Sequence, residues 1–375
     1  MKNPSIRREF SNTDFDEAKA LVIWNALVEP GDRIAGELIR TLGANAALDA
    51  FVSKRDLGEG TQKAFERWGP RYREDLFEEK LHIAQKHELK LLLPSDPQWP
   101  IDFEDLDAHS PLLIWYRGNL DHFNYLDRKV GVVGSRNASH YGQRITTDVA
   151  SMLVEENAAI ISGGALGIDA IAHRTALKQK GLTLAFMAGS LDCLYPSANY
   201  ELFDEIGHSG LLLSELAPGS RPTRWRFLQR NRLIAALSDA TVVTEAGWRS
   251  GSINTVNHAC ELSRPVFAVP GPITSPASAG CNRLIRDGQA NLLLDVSDLP
   301  SELGWRNSSP NESGSLGSLE VRALDALTSK FQTADKLLVE SGLSIEELRI
   351  ALGSLKLIGL ADIGDGGRWK RLDTL

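Results

Sequence analysis

The chain has 375 residues, of which 42% are hydrophobic and 24% charged; this composition indicates two or three globular domains and excludes a disordered or fibrous protein. Its 41 Lys and Arg residues against 49 Asp and Glu residues give a net charge of −8, which excludes a protein that is basic throughout but not a local basic site. The three cysteines are far apart and no apolar run approaches 18 residues, so we expect a cytoplasmic protein without a disulfide framework, metal, cofactor or membrane segment.

The first part of the chain is predicted to be helical. Helices are expected from Ala18 to Glu88, and residues 1–90 are interpreted as a helical N-terminal domain. A region rich in Trp and Pro follows, and it gives way to a regular alternation of elements near residues 120–128. We assign this lead-in and the alternating region together to a second domain, residues 91–305.

Short apolar runs alternate with segments of helical length in the second domain. The predicted strands are Lys129–Val133, Ala158–Ile161, Leu182–Met187, Gly210–Leu213, Ala240–Thr244, Pro265–Val269 and Asn291–Val296. The predicted crossover helices include Tyr141–Glu156, Leu166–Lys178 and Ser252–Leu262. Runs that are apolar at nearly every residue are typical of parallel strands covered on both faces. The pattern therefore predicts an α/β fold with an open, doubly wound, Rossmann-like parallel sheet, although it does not give the strand order.

Glycine-rich turns follow the first two predicted strands. Gly134-Ser135-Arg136 comes after the first strand, and the run from Ser162 to Gly167 comes after the second. Ligands of such sheets bind at the carboxyl ends of the strands, where glycines let the backbone approach a ligand and free N–H groups at a helix start attract anions. A single turn of this kind is equally well explained by a tight strand–helix connection. Two of them, one with Arg136 as a bidentate donor, favour a phosphate site.

Missing motifs restrict the kind of phosphate ligand. GxxxxGK[ST] is absent, which argues against a P-loop NTPase, and GxGxxG is absent after the first strand, which weakens a dinucleotide site. Asp169 and His173 lie four residues apart on a predicted helix and form a candidate acid–base pair. An Asp in the first turn of a helix with a nearby His is more often structural, so we favour that interpretation and assign no catalytic residue.

The segment from Gly219 to Arg232, GSRPTRWRFLQRNR, combines a local charge of +5 with aromatic residues. It contains no acid, and its five arginines are Arg221, Arg224, Arg226, Arg230 and Arg232. Arginines neutralise a nucleic-acid backbone, while aromatic faces such as those of Trp225 and Phe227 stack unpaired bases. The alternative is a solvated loop anchored by its aromatic residues. Because the segment leads into a predicted helix, Arg230–Leu237, near the glycine turns, we favour a polyanion with exposed bases.

A linker and a small module are predicted after the sheet. Ten of the twelve residues from Asn307 to Ser318 are Ser, Gly, Asn or Pro, so we assign residues 306–318 to a flexible linker. Residues 319–375 then carry three helix patterns and a hairpin at Ala361–Leu372, which together predict a winged helix. Ser344 and Glu347 have the spacing of a capping box. Since Glu346 and Glu347 would repel phosphate, we favour a protein-interaction or accessory role over DNA reading.

The motifs resemble those of the DNA-processing protein A (DprA/Smf) family. The matching pieces are Gly134-Ser135-Arg136, Ser162 to His173, Tyr195-Pro196, Arg230-Asn231-Arg232, Glu245-Ala246, Ser250-Gly251-Ser252, Phe267 to Gly271 and Gly280-Cys281-Asn282. The segment from Leu93 to Gly118 also looks like the one that precedes the Rossmann domain of that family. The resemblance covers residues 93–299, and the number and order of its motifs make it specific.

This resemblance implies a single-stranded DNA site. The residues that it assigns to the site are Ser135, Arg136, Gly163, Gly164, Arg224, Phe227, Arg230, Asn231, Arg232 and Ser250. Phe227 would stack a base, and Arg224 would hold the basic position three residues before it. The family has Phe-Pro where this chain has Phe227-Leu228, so a residue that restricts φ is missing from this turn. Trp225 is therefore an alternative stacking residue.

The function implied is that of a non-enzymatic protein of natural transformation. Such proteins protect incoming single strands, load the RecA recombinase and form homodimers through the Rossmann domain. The alternative from another class is a nucleotide phosphoribohydrolase of the lysine-decarboxylase-like fold, whose PGGxGTxxE element carries a glutamate. The corresponding stretch here, Ser250 to Asn257, contains no acid. We therefore favour the DNA binder.

Overall fold

A computed structural model describes residues 12–305, 317–357 and 359–372. The chain divides into two compact units, residues 1–305 and residues 306–375. Residues 306–316 of the predicted linker lie outside the described residues, so the linker stays a prediction. Its last predicted residue, Ser318, is the first residue of the helix Ser318–Ala326.

Five helices precede the sheet, as the sequence predicted. They are α1 (Asn12–Leu27), α2 (Arg33–Leu42), α3 (Ala44–Val52), α4 (Glu59–Trp68) and α5 (Leu76–Lys86). The start of α2 is capped by Asp32, whose carboxylate accepts hydrogen bonds from the backbone N–H groups of the helix's first turn. Trp24 and Trp68 pack edge to face with ring centroids 5.3 Å apart at the centre of the helical core.

A nine-stranded sheet follows, and all seven predicted strands are present in it. The strands are β1 (Lys90–Leu92), β2 (Ile114–Gly118), β3 (Lys129–Gly134), β4 (Ala159–Ser162), β5 (Thr183–Phe186), β6 (Leu211–Ser214), β7 (Ala240–Glu245), β8 (Val266–Ala268) and β9 (Asn291–Leu292). Their spatial order is β1-β2-β6-β5-β4-β3-β7-β8-β9. Strands β3 to β9 are parallel, and β2 joins them antiparallel to β6. The predicted α/β fold with a large parallel sheet is therefore confirmed.

Helices cover both faces of the parallel sheet. They are α6 (His140–Glu155), α7 (Ile168–Lys178), α8 (Tyr200–Ser209), α9 (Arg224–Leu237), α10 (Ser252–Glu261), α11 (Ala279–Arg286) and α12 (Leu299–Glu302). Along β3, Val130 and Val132 pack with α6 and α7, while Val133 packs with α9 and α10 on the other face. This two-faced burial explains why the strands are apolar at nearly every position.

The helices before the sheet share a core with it. Trp115 of β2 is fully buried among α1, α3 and α8, and its indole N–H donates to Asn25 at 3.0 Å. Asn25 in turn donates to the backbone oxygen of Glu215 at 2.6 Å. Residues 12–305 thus form one compact unit, and the division at residue 90 into two domains stays a prediction.

The strand order reverses between β3 and β7. From β3 the chain runs outward through β4, β5 and β6, and it then returns to β7 on the other side of β3. This reversal is the topological switch point of a doubly wound sheet, and it opens a crevice at the carboxyl ends of the two strands. The helix that leads back to β7 is α9, which starts at Arg224 rather than at the predicted Arg230.

The described residues of the second unit form three helices and a hairpin. The helices are α13 (Ser318–Ala326), α14 (Ala334–Ser341) and α15 (Ile345–Leu357), and the hairpin strands are β10 (Ala361–Gly364) and β11 (Arg368–Arg371). The predicted capping box is confirmed, because Ser344 and Glu347 each accept a hydrogen bond from the other's backbone N–H. Leu337, Leu348 and Leu355 form the centre of a separate apolar core.

Candidate functional site

A cavity of about 890 Å³ lies at the switch point of the sheet. Three segments form its walls: residues 133–137 after β3, residues 222–234 at the start of α9, and residues 247–255 after β7. We call it the main cavity. The two turns belong to the strands between which the order reverses, so the main cavity occupies the place where doubly wound sheets bind their ligands.

One face of α9 forms a wall of the main cavity. Arg224, Phe227, Leu228 and Asn231 line it. Phe227 and Leu228 lie three and four residues after Arg224, and Asn231 lies one further turn along, so all four share one helix face. The start of α9 is fixed by Thr223, whose hydroxyl accepts a hydrogen bond from the N–H of Arg226 at 3.3 Å. This cap sets the helical phase that directs Arg224 and Phe227 to the cavity.

The main cavity is positively charged. Four arginines, Arg136, Arg224, Arg230 and Arg249, line it, against a single acid, Asp169. Three of them, Arg136, Arg224 and Arg249, are exposed, and none of these three forms an ion pair with an acid in the part of the chain that the structure describes. Unpaired guanidinium groups that converge on one crevice attract anions and fit phosphate oxygens.

Arg230 is the buried cation of the site. It is 6% exposed, its Nη1 donates to the backbone oxygen of Phe186 at 2.6 Å, and its Nε has no hydrogen-bond partner among the described residues. Burial, which Asp169 opposes and Arg136 reinforces, lowers the pKa of Arg230 to about 10. The group therefore remains a cation at neutral pH.

Asp169 and His173 have structural roles in the walls. The carboxylate of Asp169 accepts hydrogen bonds from the N–H groups of Gly163 and Ala165 at 3.2 and 3.3 Å, and burial raises its pKa. His173 is fully buried, its Nδ1 lies 2.7 Å from the hydroxyl of Thr183, and burial lowers its pKa to about 3. A histidine that stays neutral and does not reach the cavity supports the structural interpretation over acid–base catalysis.

The two candidate stacking residues lie in different cavities. Phe227 lines the main cavity, where the guanidinium of Arg136 lies 4.8 Å from its ring centroid and Tyr195 meets it edge to face. Trp225, which is 57% exposed, lines a separate cavity of about 420 Å³ beside Arg67 and Arg71. The helical phase of α9 separates the two rings, because residues two apart in a helix point to different sides.

The structure does not place every expected residue at the main cavity. Arg232 is 3% exposed and donates through both Nη atoms to the carboxylate of Glu215, at 2.6 and 2.7 Å. Gly163 and Gly164 are buried behind the wall, and a Cβ on Gly163 would overlap the guanidinium of Arg230. The expected residues that do line the cavity are Ser135, Arg136, Arg224, Phe227, Arg230, Asn231 and Ser250.

Three cavity residues were missed by sequence reasoning. Trp248 and Arg249 follow β7, and Tyr195 packs on Phe227. The first two form an aromatic–basic pair at the end of a predicted strand. Arg136 was selected because it follows the carboxyl end of the first predicted strand. The same rule, applied to the fifth predicted strand, Ala240–Thr244, would have found this pair.

The structure holds no sign of a metal site or of a membrane helix within the described ranges. Across residues 12–305, 317–357 and 359–372, no group of three or more His, Cys, Asp or Glu side chains is placed to hold a metal ion. Within the same ranges, none of the helices is both long and apolar enough to cross a membrane.

The fold and the site define a class: a doubly wound α/β protein with an arginine-rich, aromatic cavity at its switch point. Residues 90–304 match the model of the family described as DNA recombination-mediator protein A. A putative DNA processing protein DprA from Mycobacterium tuberculosis is 36% identical over 373 residues, which cover 95% of this chain and 94% of that protein. The chain therefore belongs to the DprA family.

Further relatives agree with this membership. DprA from Streptococcus pneumoniae is 42% identical over 55% of this chain and 72% of its own length. Its X-ray structure matches with a TM-score of 0.64 and 32% identity, covering 76% of this chain and 97% of that one. A structure of DprA from Helicobacter pylori was solved to describe the single-stranded DNA binding mode of that protein. It matches with a TM-score of 0.53 and 31% identity, covering 58% of this chain and 96% of that one.

Proposed function

We propose that this chain is a single-stranded DNA-binding protein of DNA processing and that the main cavity is its DNA site. The observation that carries the proposal is the convergence of three unpaired arginines and an accessible phenylalanine ring on one crevice. Arginines bind the phosphates of any nucleic acid, whereas a ring within a cavity reaches only a base that is not paired in a duplex. Membership of the DprA family supports the same conclusion.

The phosphate contacts come from several segments. Arg136 follows β3, Arg224 lies in the first turn of α9, and Arg249 precedes α10. Ser250 and the N–H groups at the start of α10 add neutral donors at the point where the helix dipole favours an anion. Arg230 is the most buried of the four arginines, and its charge adds to the positive field behind these donors.

Phe227 provides the stacking surface for a base. The guanidinium of Arg136 lies over one face of the ring, 4.8 Å from its centroid. When a strand enters, the guanidinium moves from the ring to a phosphate, and a base takes its place on the ring. Arg136 therefore keeps the aromatic surface covered until DNA replaces it.

Two further parts of the proposal are the partners of the protein and whether it is an enzyme. We infer that the protein protects incoming strands in the cytoplasm, loads the RecA recombinase, forms homodimers and is not an enzyme. The absence of an acid from Ser250 to Asn257, part of which lines the main cavity, supports a binder over a phosphoribohydrolase. The three helices and hairpin of the second unit support a winged helix, and Glu346 and Glu347 in the first turn of α15 favour a protein partner for it.

The experiment is a titration with single-stranded and duplex DNA across a salt series. We expect the single strand to bind more tightly, Arg136→Ala to weaken binding and reduce the salt slope, and Phe227→Ala to weaken binding by about 1–3 kcal/mol with little change in slope. Phe227→Ala should affect an abasic strand far less than an ordinary one. Equal affinity for duplex and single strand would contradict the proposed site, and release of adenine from adenosine monophosphate would indicate a hydrolase.

A further inference from the structure

A second aromatic residue, Trp248, lies exposed in the main cavity. It follows β7 and is 52% exposed, although the indole is a large apolar group that proteins usually bury. It belongs to none of the apolar clusters of the described residues. Burial in the core therefore does not explain this side chain, whereas contact with a ligand would.

The position of Trp248 is fixed by α11. The guanidinium of Arg283 lies 4.7 Å from the centroid of the indole ring, a cation–π contact that holds the ring in place. The N–H of Gly280 donates to the backbone oxygen of Ala246 at 2.7 Å, and a Cβ on Gly280 would collide with the oxygen of Gly247. This close packing anchors the turn that carries Trp248, so the exposed ring is pre-organised for stacking.

An unpaired arginine accompanies Trp248, as one accompanies Phe227. Arg249 is exposed and forms no ion pair with an acid among residues 12–305, 317–357 and 359–372. The turn after β7 is tied to α9 by Asn231, which donates to the oxygen of Gly251 at 3.4 Å and to Asn254 at 3.1 Å. Phe227 and Trp248 thus line the main cavity from separate but connected segments. Each has an arginine nearby, Arg136 or Arg249, that forms no ion pair among the described residues.

We propose that Trp248 stacks a second base of the same strand, with Arg249 on a neighbouring phosphate, so that the site holds at least two nucleotides. This inference rests on the proposed function of the main cavity. It extends that function by naming a stacking residue and a minimum site size, and it makes binding depend on two bases instead of one.

The test compares two exposed tryptophans. Trp248→Ala and Trp225→Ala remove side chains of similar exposure, 52% and 57%, but only Trp248 lines the main cavity. With oligothymidylate, we expect Trp248→Ala to weaken binding about fivefold to a hundredfold and to leave the salt slope unchanged. Trp225→Ala should bind as the wild type does. Arg249→Ala should reduce the salt slope by about one phosphate contact.

Two further measurements make the test decisive. Trp248→Leu keeps an apolar side chain but offers no ring face, so it should lose affinity as Trp248→Ala does. The second measurement uses a series of strands, each with one abasic site at a different position. With the abasic site at one position, Trp248→Ala should cause no further loss of affinity. With the abasic site at a different position, Phe227→Ala should cause no further loss. If Trp248→Ala and Trp248→Leu both bind as tightly as Trp225→Ala, the inference is overturned. If the wild type itself fails to prefer single strands, the proposed function fails instead.

Discussion

The replacement of Arg232 by Met separates a structural arginine from the DNA-binding ones. The resemblance to the DprA family places Arg232 in the phosphate pocket, whereas the structure pairs it with Glu215. Arg232 also donates to the backbone oxygens of His109 at 3.0 Å and Gln229 at 3.1 Å. All of these partners are groups of the protein, so the hydrogen bonds of this guanidinium hold it within the protein and not toward the main cavity. We therefore expect Arg232→Met to change stability and not intrinsic affinity.

The magnitude follows from burial of the pair. Arg232 and Glu215 are 3% and 7% exposed, so Arg232→Met leaves an uncompensated carboxylate inside the protein. Breaking a buried pair in this way costs about 3–5 kcal/mol, a large part of a total stability on the order of 5–15 kcal/mol. Replacing both partners with apolar residues, as in Arg232→Met with Glu215→Leu, should recover most of this loss because no charge is then buried alone.

The assay combines urea unfolding, followed by circular dichroism, with a single-stranded DNA titration at a temperature where every variant is folded. Arg232→Met should lower the urea midpoint and keep the affinity, and the double variant should regain the midpoint. The matched control is Arg136→Met, whose exposed guanidinium has no acid partner among the described residues, and it should give the opposite pattern. An Arg232→Met protein with a normal midpoint and a lost affinity would refute the reasoning.

Three other predictions concern the walls of the site and the linker. Burial lowers the pKa of His173 to about 3, so below the unfolded-state value of about 6.5 the unfolded chain binds more protons. Lowering the pH from 7 to 5 should thus reduce the free energy of unfolding by about 2 kcal/mol through this residue. The urea midpoint of His173→Gln should therefore change less over this pH range than that of the wild type. Gly163→Ala should cost about 1–3 kcal/mol in thermal unfolding and weaken DNA binding, because its Cβ would displace Arg230; Gly60→Ala, with open space around it, is the control. Limited proteolysis should cut between Asn307 and Ser318 and release a body that keeps its affinity, whereas loss of all binding would move the site to the C-terminal module.

The parallel part of the sheet was predictable because its signal is local. A strand covered on both faces must be apolar along its whole length, and this is readable in runs such as Lys129–Val133. The strand order was not predictable, since pairing depends on contacts between residues far apart in the chain. For the same reason β1 and β2 were missed: β2 pairs antiparallel with β6, about a hundred residues later, and the Trp- and Pro-rich sequence around it hides the pattern.

The site was predictable as far as it follows strand ends. Ser135 and Arg136 come directly after β3, and the rule that ligands bind at the carboxyl ends of strands was enough to select them. The start of α9 was the main error. The sequence analysis placed the start at Arg230, although Thr223 is a favourable N-cap residue. In addition, position 228 is Leu where the family has Pro, so the helix can continue through this position.

That error explains why the charge of +5 on Gly219–Arg232 overstates its share of the DNA site. Once the segment is helical from Arg224, its arginines point to different sides. Arg226 forms two hydrogen bonds with the carboxylate of Glu29, and Arg232 is buried with Glu215. The positive field of the main cavity combines Arg224 and Arg230 from this segment with Arg136 after β3 and Arg249 after β7. The counterions released on DNA binding therefore report on arginines that are distant in sequence. A count taken from the basic segment alone includes Arg226 and Arg232, which pair with acids, and leaves out Arg136 and Arg249.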